Sequence, residues 1–377
     1  MVAIREVKTK KDIKEFIEFP LRLYKGCEWF VPPLYGDEKK MILEGGRPDI
    51  ADSIFLLAER DGKTVGRIQG IVQRQYNELH STKRVRFTRF DSINDTEVSG
   101  ALFGAVEEWG RGFGMTELCG PLGYSDLDRE GLLIEGFEEL ATFEEQYNYD
   151  YYGSLCEAAG LSKEVDWLEF ELTAPEKKNE MLERVANRAL EMNKLHIVDH
   201  TKYTKKEYIN KYKSGVFDCL DECYSKLYGT VPLSEDMREE LIDQFMMIVN
   251  PKYLFIICDE NEKVVSFALC FPSISRAVQK SGGRLTLPAI FRILKAVKSS
   301  ETIDLCLIGV LPEYQRLGIN SVMINILSDA LTSGMCKRCE TNLNLETNTA
   351  VLAQWKYFTA RHHKRRRAYI KAIDTKE

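Results

Sequence analysis

The sequence predicts an α/β (α+β) protein of two related domains in tandem, and three observations support this prediction. The chain of 377 residues is too long for one ordinary domain and about right for two. Its halves show the same order of strand and helix patterns. A gap-free alignment of residues 56–68 with 255–267 brings two predicted hairpin turns into register. We therefore expect domains at residues 1–175 and 176–377, joined near the polar stretch that contains Pro175.

The first half predicts a strand and a helix, then a hairpin, a strand and a second helix. Runs rich in β-branched and aromatic residues indicate strands, and apolar residues three and four apart indicate helices. Asp61 and Gly62 are typical of a hairpin turn. In order, the elements are a strand at 3–7, a helix at 10–26, a hairpin at 54–73, a strand at 84–93, a helix at 96–112 and, over 116–124, a strand that runs into a turn.

The second half repeats this order. Its elements are helices between 204 and 247, a hairpin at 253–271, a strand at 302–310, a helix from near 314 to Gly334, and a strand at 338–345. The helix near Tyr314 has an apolar stripe at i, i+3, i+4 spacing, and Gly334 is placed to end it. A dense basic run at residues 361–371 is predicted as a solvated turn before a terminal strand.

The composition is that of a globular protein in a reducing compartment. Hydrophobic residues make up 44% of the chain, and the net charge of −6 (52 basic, 58 acidic) makes nucleic acid an unlikely partner. There is no signal-peptide pattern and no apolar run of about 18 residues, so we expect a cytoplasmic protein without a membrane partner. Cys336 and Cys339 form a CxxC, but no second tight pair accompanies it, so we expect no metal.

Residues 309–322, GVLPEYQRLGINSV, place a proline, a glycine and several unpaired backbone amides at the start of the predicted helix. The first turn of a helix has unpaired N–H groups and the positive end of the helix dipole, which together favour a phosphate. Gly318 has no side chain, so a ligand can approach the backbone there closely. The stretch therefore indicates a phosphate-binding turn, and an ordinary strand-turn-helix link is the alternative interpretation.

The segment 315–320, QRLGIN, resembles the Q/R-x-x-G-x-G/A acyl-CoA-binding turn of the GCN5-related N-acetyltransferase (GNAT) superfamily. The element order of the C-terminal third of the chain also resembles that fold. Asn320 departs from the pattern, because the family has Gly or Ala there. The resemblance implies tandem GNAT-like domains, each with a mixed, mostly antiparallel central sheet flanked by helices. It also implies acetyl-CoA or another acyl-CoA as co-substrate.

The resemblance further implies which residues contact acyl-CoA. In that family the pantetheine arm pairs with the strand before the signature helix, here residues 308–310, and a main-chain N–H polarises the thioester. The amine attacks directly, so the protein supplies positioning and a route for the amine's proton. The implied contacts are Ile308, Gly309, Val310, Gln315, Arg316, Leu317, Gly318, Ile319, Asn320, Ser321 and Asn348.

Polar side chains alternate along the next predicted strand, at positions 340, 342, 344 and 346. Such a row indicates either a ligand-lined cleft or a solvated sheet edge. We expect Asn342 and Asn344 to contact the acceptor. The candidate general bases are Asp304, Glu340 and Glu346.

The residue that protonates the leaving thiolate is less directly indicated. Asn348 begins a stretch similar to the family's N-x-x-x-x-x-x-Y helix, in which the Tyr has this role. Trp355 occupies the Tyr position in this chain. Tyr357 is two residues further on, roughly 200° around a helix, and is the remaining candidate for a catalytic acid.

The first half begins its equivalent helix with acidic residues. Asp91, Asp95 and Glu97 lie near the start of the helix at 96–112, where carboxylates cap the helix and would repel a pyrophosphate. We therefore expect a degenerate domain that binds no CoA.

Loop residues of the first half are candidates for an acceptor pocket, because loops on a rigid scaffold often carry function. The alternative is that the tyrosines cover the edge of a core and bond through their hydroxyl groups. The candidates are Ser125, Glu130, Tyr147, Asn148 and Tyr152.

The combined prediction is an N-acyltransferase that moves an acetyl or other acyl group from acyl-CoA to a small-molecule or peptide amine. One alternative is an acyl-CoA-binding module without turnover. A second is the aminoacyl-tRNA-dependent peptidyltransferase class, which shares the tandem architecture but needs a broad basic surface that a net charge of −6 disfavours. The acceptor, the acyl chain length and the oligomeric state stay open.

Overall fold

The computed structural model describes residues 1–177 and 179–374, and their contacts divide into two compact units. Unit 1 contains Met1–Leu168, Ser275–Ile290 and the described residues of Lys364–Glu377. Unit 2 contains the described residues of Glu169–Ile274 together with Phe291–His363. The predicted domain limits, 1–175 and 176–377, stay a prediction. Two compact units do not show which stretches of the chain can fold independently.

Unit 1 is a twisted sheet with helices packed on it. Its elements are β1 (Ala3–Glu6), α1 (Lys10–Leu23), α2 (Tyr35–Leu43), β2 (Ala51–Arg60), β3 (Lys63–Gln73), α3 (Arg74–His80), β4 (Arg84–Ser92), α4 (Thr96–Gly112), β5 (Glu117–Gly120), β6 (Leu132–Glu135), α5 (Tyr152–Ala158) and the start of β7 (Ser162–Thr173). Two later elements join this unit: α9 (Ser275–Gln279) and most of β14 (Thr359–Ala372). The strand order is β1-β2-β3-β4-β5-β14, and only β4 and β5 are parallel neighbours.

Local signals explain why unit 1 folds this way. Thr9 and Asp12 form a capping box that begins α1, whose apolar face contributes to a core with Phe55. Asp61 and Gly62 both have positive φ, 52° and 72°, as a tight two-residue hairpin turn requires. The predicted hairpin, strand and long helix of this half are therefore confirmed.

Unit 2 repeats the arrangement. Its elements are the end of β7, α6 (Glu180–Met192), β8 (His196–Ile197), α7 (Lys205–Tyr224), α8 (Glu235–Phe245), β9 (Leu254–Cys258), β10 (Val264–Pro272), β11 (Thr302–Val310), α11 (Ile319–Thr332), β12 (Arg338–Thr341), β13 (Asn344–Leu345) and α12 (Thr349–Leu352). The strand order is β7-β12-β11-β10-β9-β8, and only β11 and β12 are parallel neighbours. Helix α10 (Leu287–Ser299) lies in the link between β10 and β11, and its residues fall in both units.

Both units thus have a mixed, mostly antiparallel sheet flanked by helices, and the predicted fold class is confirmed. None of the helices in the described parts of the chain is long and apolar enough to cross a membrane.

Three details of the sequence prediction are wrong. Helix α11 begins at Ile319 rather than near Tyr314, because a 3-10 turn at Pro312–Tyr314 and the left-handed residues Arg316 and Gly318 come first. Residues 338–345 form two short strands with a break, not one strand. The basic run at 361–371 lies within β14 rather than in a solvated turn.

Candidate functional site

The two parallel strands of unit 2 separate part of the way along their length. Residues 302–305 of β11 pair with residues 338–341 of β12, and the last bond is from the Asn342 amide to the Leu305 carbonyl, 2.9 Å. Strand β11 then continues to Val310 without β12 beside it. A bulge marks this point, since the pairing with β10 shifts by one residue at Cys306. One edge of β11 is therefore open to a partner other than β12.

A tyrosine from the last turn of α7 contacts this open edge. The amide of Ile308 donates to the Tyr224 hydroxyl at 3.3 Å, and the hydroxyl is 3.3 Å from the Ile308 carbonyl oxygen, to which it donates. Both distances are longer than the usual 2.7–3.0 Å for strong hydrogen bonds. The side-chain amide of Gln315 donates to the Val310 carbonyl, 3.1 Å. These polar contacts occupy backbone groups that a neighbouring strand would otherwise bind.

The turn after β11 leaves the start of α11 without a side-chain cap. Gly318 is the N-cap residue, with φ 85°, and there is no acidic residue in the first turn. No backbone acceptor within residues 1–177 and 179–374 receives the amides of Ile319 and Asn320, whereas Ser321 donates to the Gly318 carbonyl. Asn320 is exposed, as is Arg316. The helix start therefore has the N–H groups, the dipole and the nearby cation that favour a phosphate.

Gly318 is required by its surroundings as well as by its backbone conformation. A β-carbon at this position would lie 3.1 Å from the Ala189 β-carbon of α6, and the left-handed conformation is costly for a residue with a side chain. The short distance shows that α6 packs closely against the turn at Gly318. Leu317 is 43% exposed, and Ile319 is buried in the core under α11. The predicted cofactor contacts at 315–321 are thus consecutive residues of the turn and the first turn of α11, with the Ile319 side chain in the core, and they follow directly on the open edge formed by Ile308, Gly309 and Val310.

The structure brings two of the three candidate bases together. Asp304 of β11 and Glu340 of β12 are register partners on neighbouring strands, and Asp304 is only 4% exposed. The Nε2 atom of His363 lies 3.9 Å from a Glu340 carboxylate oxygen. Glu346 lies elsewhere, beyond β13. Asp304 and Glu340 are therefore at the base of the opening, just before the strands separate.

The other predicted residues after β12 mainly organise the chain. Asn344 is buried, and its side-chain amide donates to the Thr341 hydroxyl at 2.9 Å and the Asn342 carbonyl at 2.7 Å. Asn348 caps α12 by accepting from the Val351 amide, 3.3 Å. Their roles toward acceptor and cofactor stay predictions.

At the position where the family's helix signature has Tyr, this chain has Trp355, which packs in the core. Trp355 is 3% exposed and lies next to Phe358, with ring centroids 6.4 Å apart. Tyr357 is half-buried in a 3-10 turn, Trp355–Tyr357, and the Lys356 ammonium lies 5.2 Å from its ring. Tyr224 was not found from the sequence, because it lies 84 positions from Ile308 and belongs to no motif.

Unit 1 has the same separation of strands with different groups at its end. Residues 84–86 of β4 pair in parallel with residues 117–119 of β5, and β4 then continues to Ser92 without β5 beside it. The Ser92 amide donates to the Tyr152 hydroxyl at 3.1 Å, and the Tyr151 hydroxyl donates to the Ser92 carbonyl at 2.7 Å. Asp95 caps α4, with its carboxylate accepting from the Glu97 amide, 2.9 Å. This edge and this helix start are already bonded within the unit.

The candidate acceptor-pocket residues of unit 1 are all buried, and four of them bond to their own unit. Asn148 pairs with both the amide and the carbonyl of Leu133, at 2.7 and 2.9 Å. The Tyr147 hydroxyl donates to the Phe137 carbonyl, 3.1 Å, and the Ser125 hydroxyl accepts from the Leu127 amide, 3.2 Å. Tyr152 is in the network at Ser92 described above. An acceptor role for these residues stays a prediction.

Glu130, the fifth residue of that set, is different. It is 2% exposed, and its Oε1 atom has no hydrogen-bond partner among the residues that the structure describes. Burial raises the pKa of the Glu130 carboxyl well above its usual value, and the nearby Asp126 carboxylate adds to this effect. The Glu130 carboxyl therefore keeps its proton to a higher pH than a solvent-exposed glutamate does.

The splayed parallel strands, the bulge and the uncapped turn define a class of fold, that of the GNAT acetyltransferases. A tandem GNAT protein from the clavulanic acid biosynthesis pathway, solved without AcCoA, matches the chain over 100% of both proteins, with a TM-score of 0.56 and 11% identity. The chain therefore has a tandem GNAT fold.

Two proteins are similar in sequence over almost the whole chain. Protein YghO of Escherichia coli (strain K12) is 26% identical over 98% of this chain and 95% of that protein. A bacterial ceramide synthase of Caulobacter vibrioides (strain NA1000 / CB15N) is 25% identical over 99% of this chain and 98% of that protein. No family model matches the sequence.

Proposed function

We propose that this protein transfers an acyl group from acyl-CoA to an amine, and that unit 2 binds the acyl-CoA. The observation that supports this most directly is the uncapped start of α11 next to the open edge of β11. The amides of Ile319 and Asn320 would bind the pyrophosphate. Arg316 is exposed in the same turn, so its positive charge would attract the phosphates. The open edge at residues 308–310 would bind the pantetheine arm.

The residues at the bulge suit the chemistry of a thioester. Acyl-CoA supplies an activated carbonyl carbon, which the amine attacks directly. The Ile308 amide, now bonded to Tyr224, would donate to the oxygen that gains negative charge. Loss of a comparable donor in other enzymes costs about 10²–10³ in rate.

The proton of the amine and the proton for the leaving thiolate need two routes. Asp304 and Glu340 lie together at the base of the opening, and either could receive the amine's proton through a water molecule. We propose Tyr224 as the donor to the thiolate, because its hydroxyl lies where the thioester would bind and Trp355 has no acidic proton to give. Tyr357 is the alternative donor predicted from the sequence.

Our proposal for the acceptor class is supported by the name of one relative rather than by the site. The Caulobacter protein is named a ceramide synthase, and ceramide is an N-acylated amino-alcohol lipid. We therefore propose long-chain amino alcohols as the first acceptors to screen, with longer acyl-CoAs beside acetyl-CoA. Release of free thiol would report turnover.

Calorimetry with acetyl-CoA and longer acyl-CoAs tests the cofactor site. Asn320→Glu places a carboxylate at the proposed phosphate site, and an acidic residue in a first turn favours the helix, so the fold should persist. The matched control is Thr96→Glu, the same charge change on the exposed first turn of α4. We expect a loss of about tenfold or more in affinity for Asn320→Glu, about 1.4 kcal/mol, and no change for Thr96→Glu.

Either of two results would count against the proposal. Absence of binding by the natural chain would mean that the turn is structural. Equal binding by the natural chain and Asn320→Glu would place the ligand elsewhere. Binding without release of thiol from any amine would instead favour an acyl-CoA-binding module.

A further inference from the structure

The link between β10 and β11 carries an exposed apolar stripe on α10. Leu287, Phe291 and Leu294 are 84%, 73% and 43% exposed. At about 100° per residue they lie within roughly 60° of one another around the helix. The opposite side of the helix is buried, since Ala289 and Ile293 are both 0% exposed. Helix α10 is therefore apolar on both sides, and only one side contributes to the core.

The exposed apolar side chains of α10 lie in a segment whose charges are all basic, whereas Met181, Val185 and Met192, which are also exposed, lie on α6 with acidic residues in its first turn. Leu285, two residues before the helix begins, is 44% exposed. Other large apolar side chains at the surface, such as Leu79 and Phe113, are distant in sequence from one another. Single exposed apolar residues are normal, but a contiguous group marks an interaction surface.

The charged residues of the link itself, 273–300, are all of one sign. Residues 273–300 contain no Asp or Glu, although the chain as a whole has a net charge of −6. Their basic residues are Arg276, Lys280, Arg284, Arg292, Lys295 and Lys298. Arg284 pairs with Glu18 at 2.9 Å, whereas Lys295 and Lys298 are exposed and form no ion pair with any residue that the structure describes. Lys298 lies in line with the stripe, and Lys295 lies at its border.

The start of the link is fixed within unit 1. The side chains of Arg276 and Gln279 donate to the Glu28 carbonyl at 2.9 and 3.0 Å. The Tyr35 amide donates to the Gly283 carbonyl at 2.9 Å. The segment that leads into α10 is therefore held in place, which lowers the entropy cost of presenting the stripe to a partner.

We propose that α10 docks on the surface of an anionic phospholipid bilayer. A helix with an apolar stripe bordered by lysines can lie in the plane of the interface, with its apolar side chains in the lipid and the ammonium groups at the phosphates. A second copy of the chain fits less well, because a symmetric contact would place these cations against the same cations. This inference departs from the sequence prediction of no membrane partner, and it does not depend on the proposed function.

Flotation of the full chain with lipid vesicles tests the inference. The vesicles contain either phosphatidylcholine alone or equal parts of phosphatidylcholine and phosphatidylglycerol. We expect flotation with the anionic vesicles only, and a decrease at high salt because charge attraction is screened. The double variants Leu287→Ser/Phe291→Ser and Lys295→Glu/Lys298→Glu should each lower the bound fraction by about tenfold.

The matched control is Met181→Ser/Met192→Ser on α6, where both side chains are 70% exposed and acidic residues are present. This variant should float like the natural chain. Thermal unfolding of each variant checks that the fold is intact. The inference is overturned if the natural chain does not float, if the α10 variants float equally well, or if sedimentation shows that the stripe variants change only self-association.

Discussion

In both units the two parallel strands separate in the same way, but different residues contact the free strand edge and begin the helix that follows. In unit 1 two tyrosines bond to Ser92, and Asp95 caps the helix that follows. In unit 2 a single tyrosine makes two 3.3 Å contacts with Ile308, and Gly318 begins the helix without a side-chain cap. The same fold thus gives two gaps between separated strands. In unit 1 the groups at the gap are bonded within the unit, and in unit 2 the helix start has accessible N–H donors. A fold alone does not specify function, because the groups at the strand ends decide what can bind.

The tyrosine contacts at Ser92 in unit 1 belong to a larger buried polar network. The Asp91 carboxylate accepts from Arg67 at 2.8 Å, from Tyr24 at 2.9 Å and from Tyr152 at 3.3 Å. Burial raises the pKa of the Tyr24 hydroxyl well above its usual range, and the negative charge of Asp91 adds to this effect. Such a network contributes rigidity only when each member keeps its partner.

The largest expected effect is on stability, from Asp91→Asn. This change leaves the buried Arg67 cation without its carboxylate, and breaking a buried pair typically costs about 3–5 kcal/mol. Urea unfolding measures the loss, and Asp95→Asn is the matched control because Asn also caps helices. The folded Asp91→Asn protein should bind acetyl-CoA normally. An altered affinity with unchanged stability would show that the gap between the separated strands of unit 1 is functional.

The next effect is on turnover, from Tyr224→Phe. If Tyr224 protonates the leaving thiolate, kcat should fall by about 10²-fold and lose its decline at high pH. The affinity for acetyl-CoA should change by about tenfold or less, since one net hydrogen bond contributes only about 0.5–1.5 kcal/mol. Thiol release as a function of pH, with the amine that supports turnover, measures both quantities.

Tyr357→Phe is the control for this experiment, because it removes the hydroxyl that the sequence predicted as the acid. An unchanged pH profile for Tyr224→Phe, together with a reduced kcat for Tyr357→Phe, would reverse the two assignments. That outcome would leave the proposed acyl-CoA site unaffected.

The last expected effect is the pH dependence of stability that Glu130 contributes. Its raised pKa means that the folded chain keeps a proton that the unfolded chain releases above about pH 4.3. Stability therefore falls as the pH rises from the unfolded pKa toward the higher folded pKa, by up to about 1.4 kcal/mol per pH unit.

Glu130→Gln removes this dependence while keeping the shape of the side chain. Urea unfolding at pH 5 and pH 8 should show that the variant gains more relative to the natural chain at pH 8. Parallel stability curves would mean that Glu130 is ionised in the folded protein. That result would point to a charged partner in unit 1 instead of a neutral core.

Much of the fold could be predicted because its signals are local. The hairpin at Asp61–Gly62 and the helix cap at Asp95 depend on neighbouring residues. The start of α11 could not be located to the residue, since periodicity does not show that Arg316 adopts φ 66°. The basic run was placed in a turn before the terminal strand rather than within β14. The reason is that the buried Arg366 lies 3.7 Å from Glu145, an acidic residue far away in sequence.

In the candidate site, too, the features with a local cause could be predicted, and those that depend on tertiary contacts could not. The turn at 315–320 could be predicted from a motif with a local physical cause, whereas Tyr224 reaches Ile308 through a tertiary contact. The buried positions of Asn344 and Glu130 also depend on packing that alternation along a strand does not encode.

Hydrogen exchange with and without acetyl-CoA tests the central claim, that unit 2 alone has an accessible cofactor site. We predict slower exchange in peptides covering residues 306–310 and 316–320, because those amides would gain ligand partners. Peptides covering residues 90–97 should not change. Protection at 90–97, or no protection at 316–320 under saturating ligand, would contradict the account.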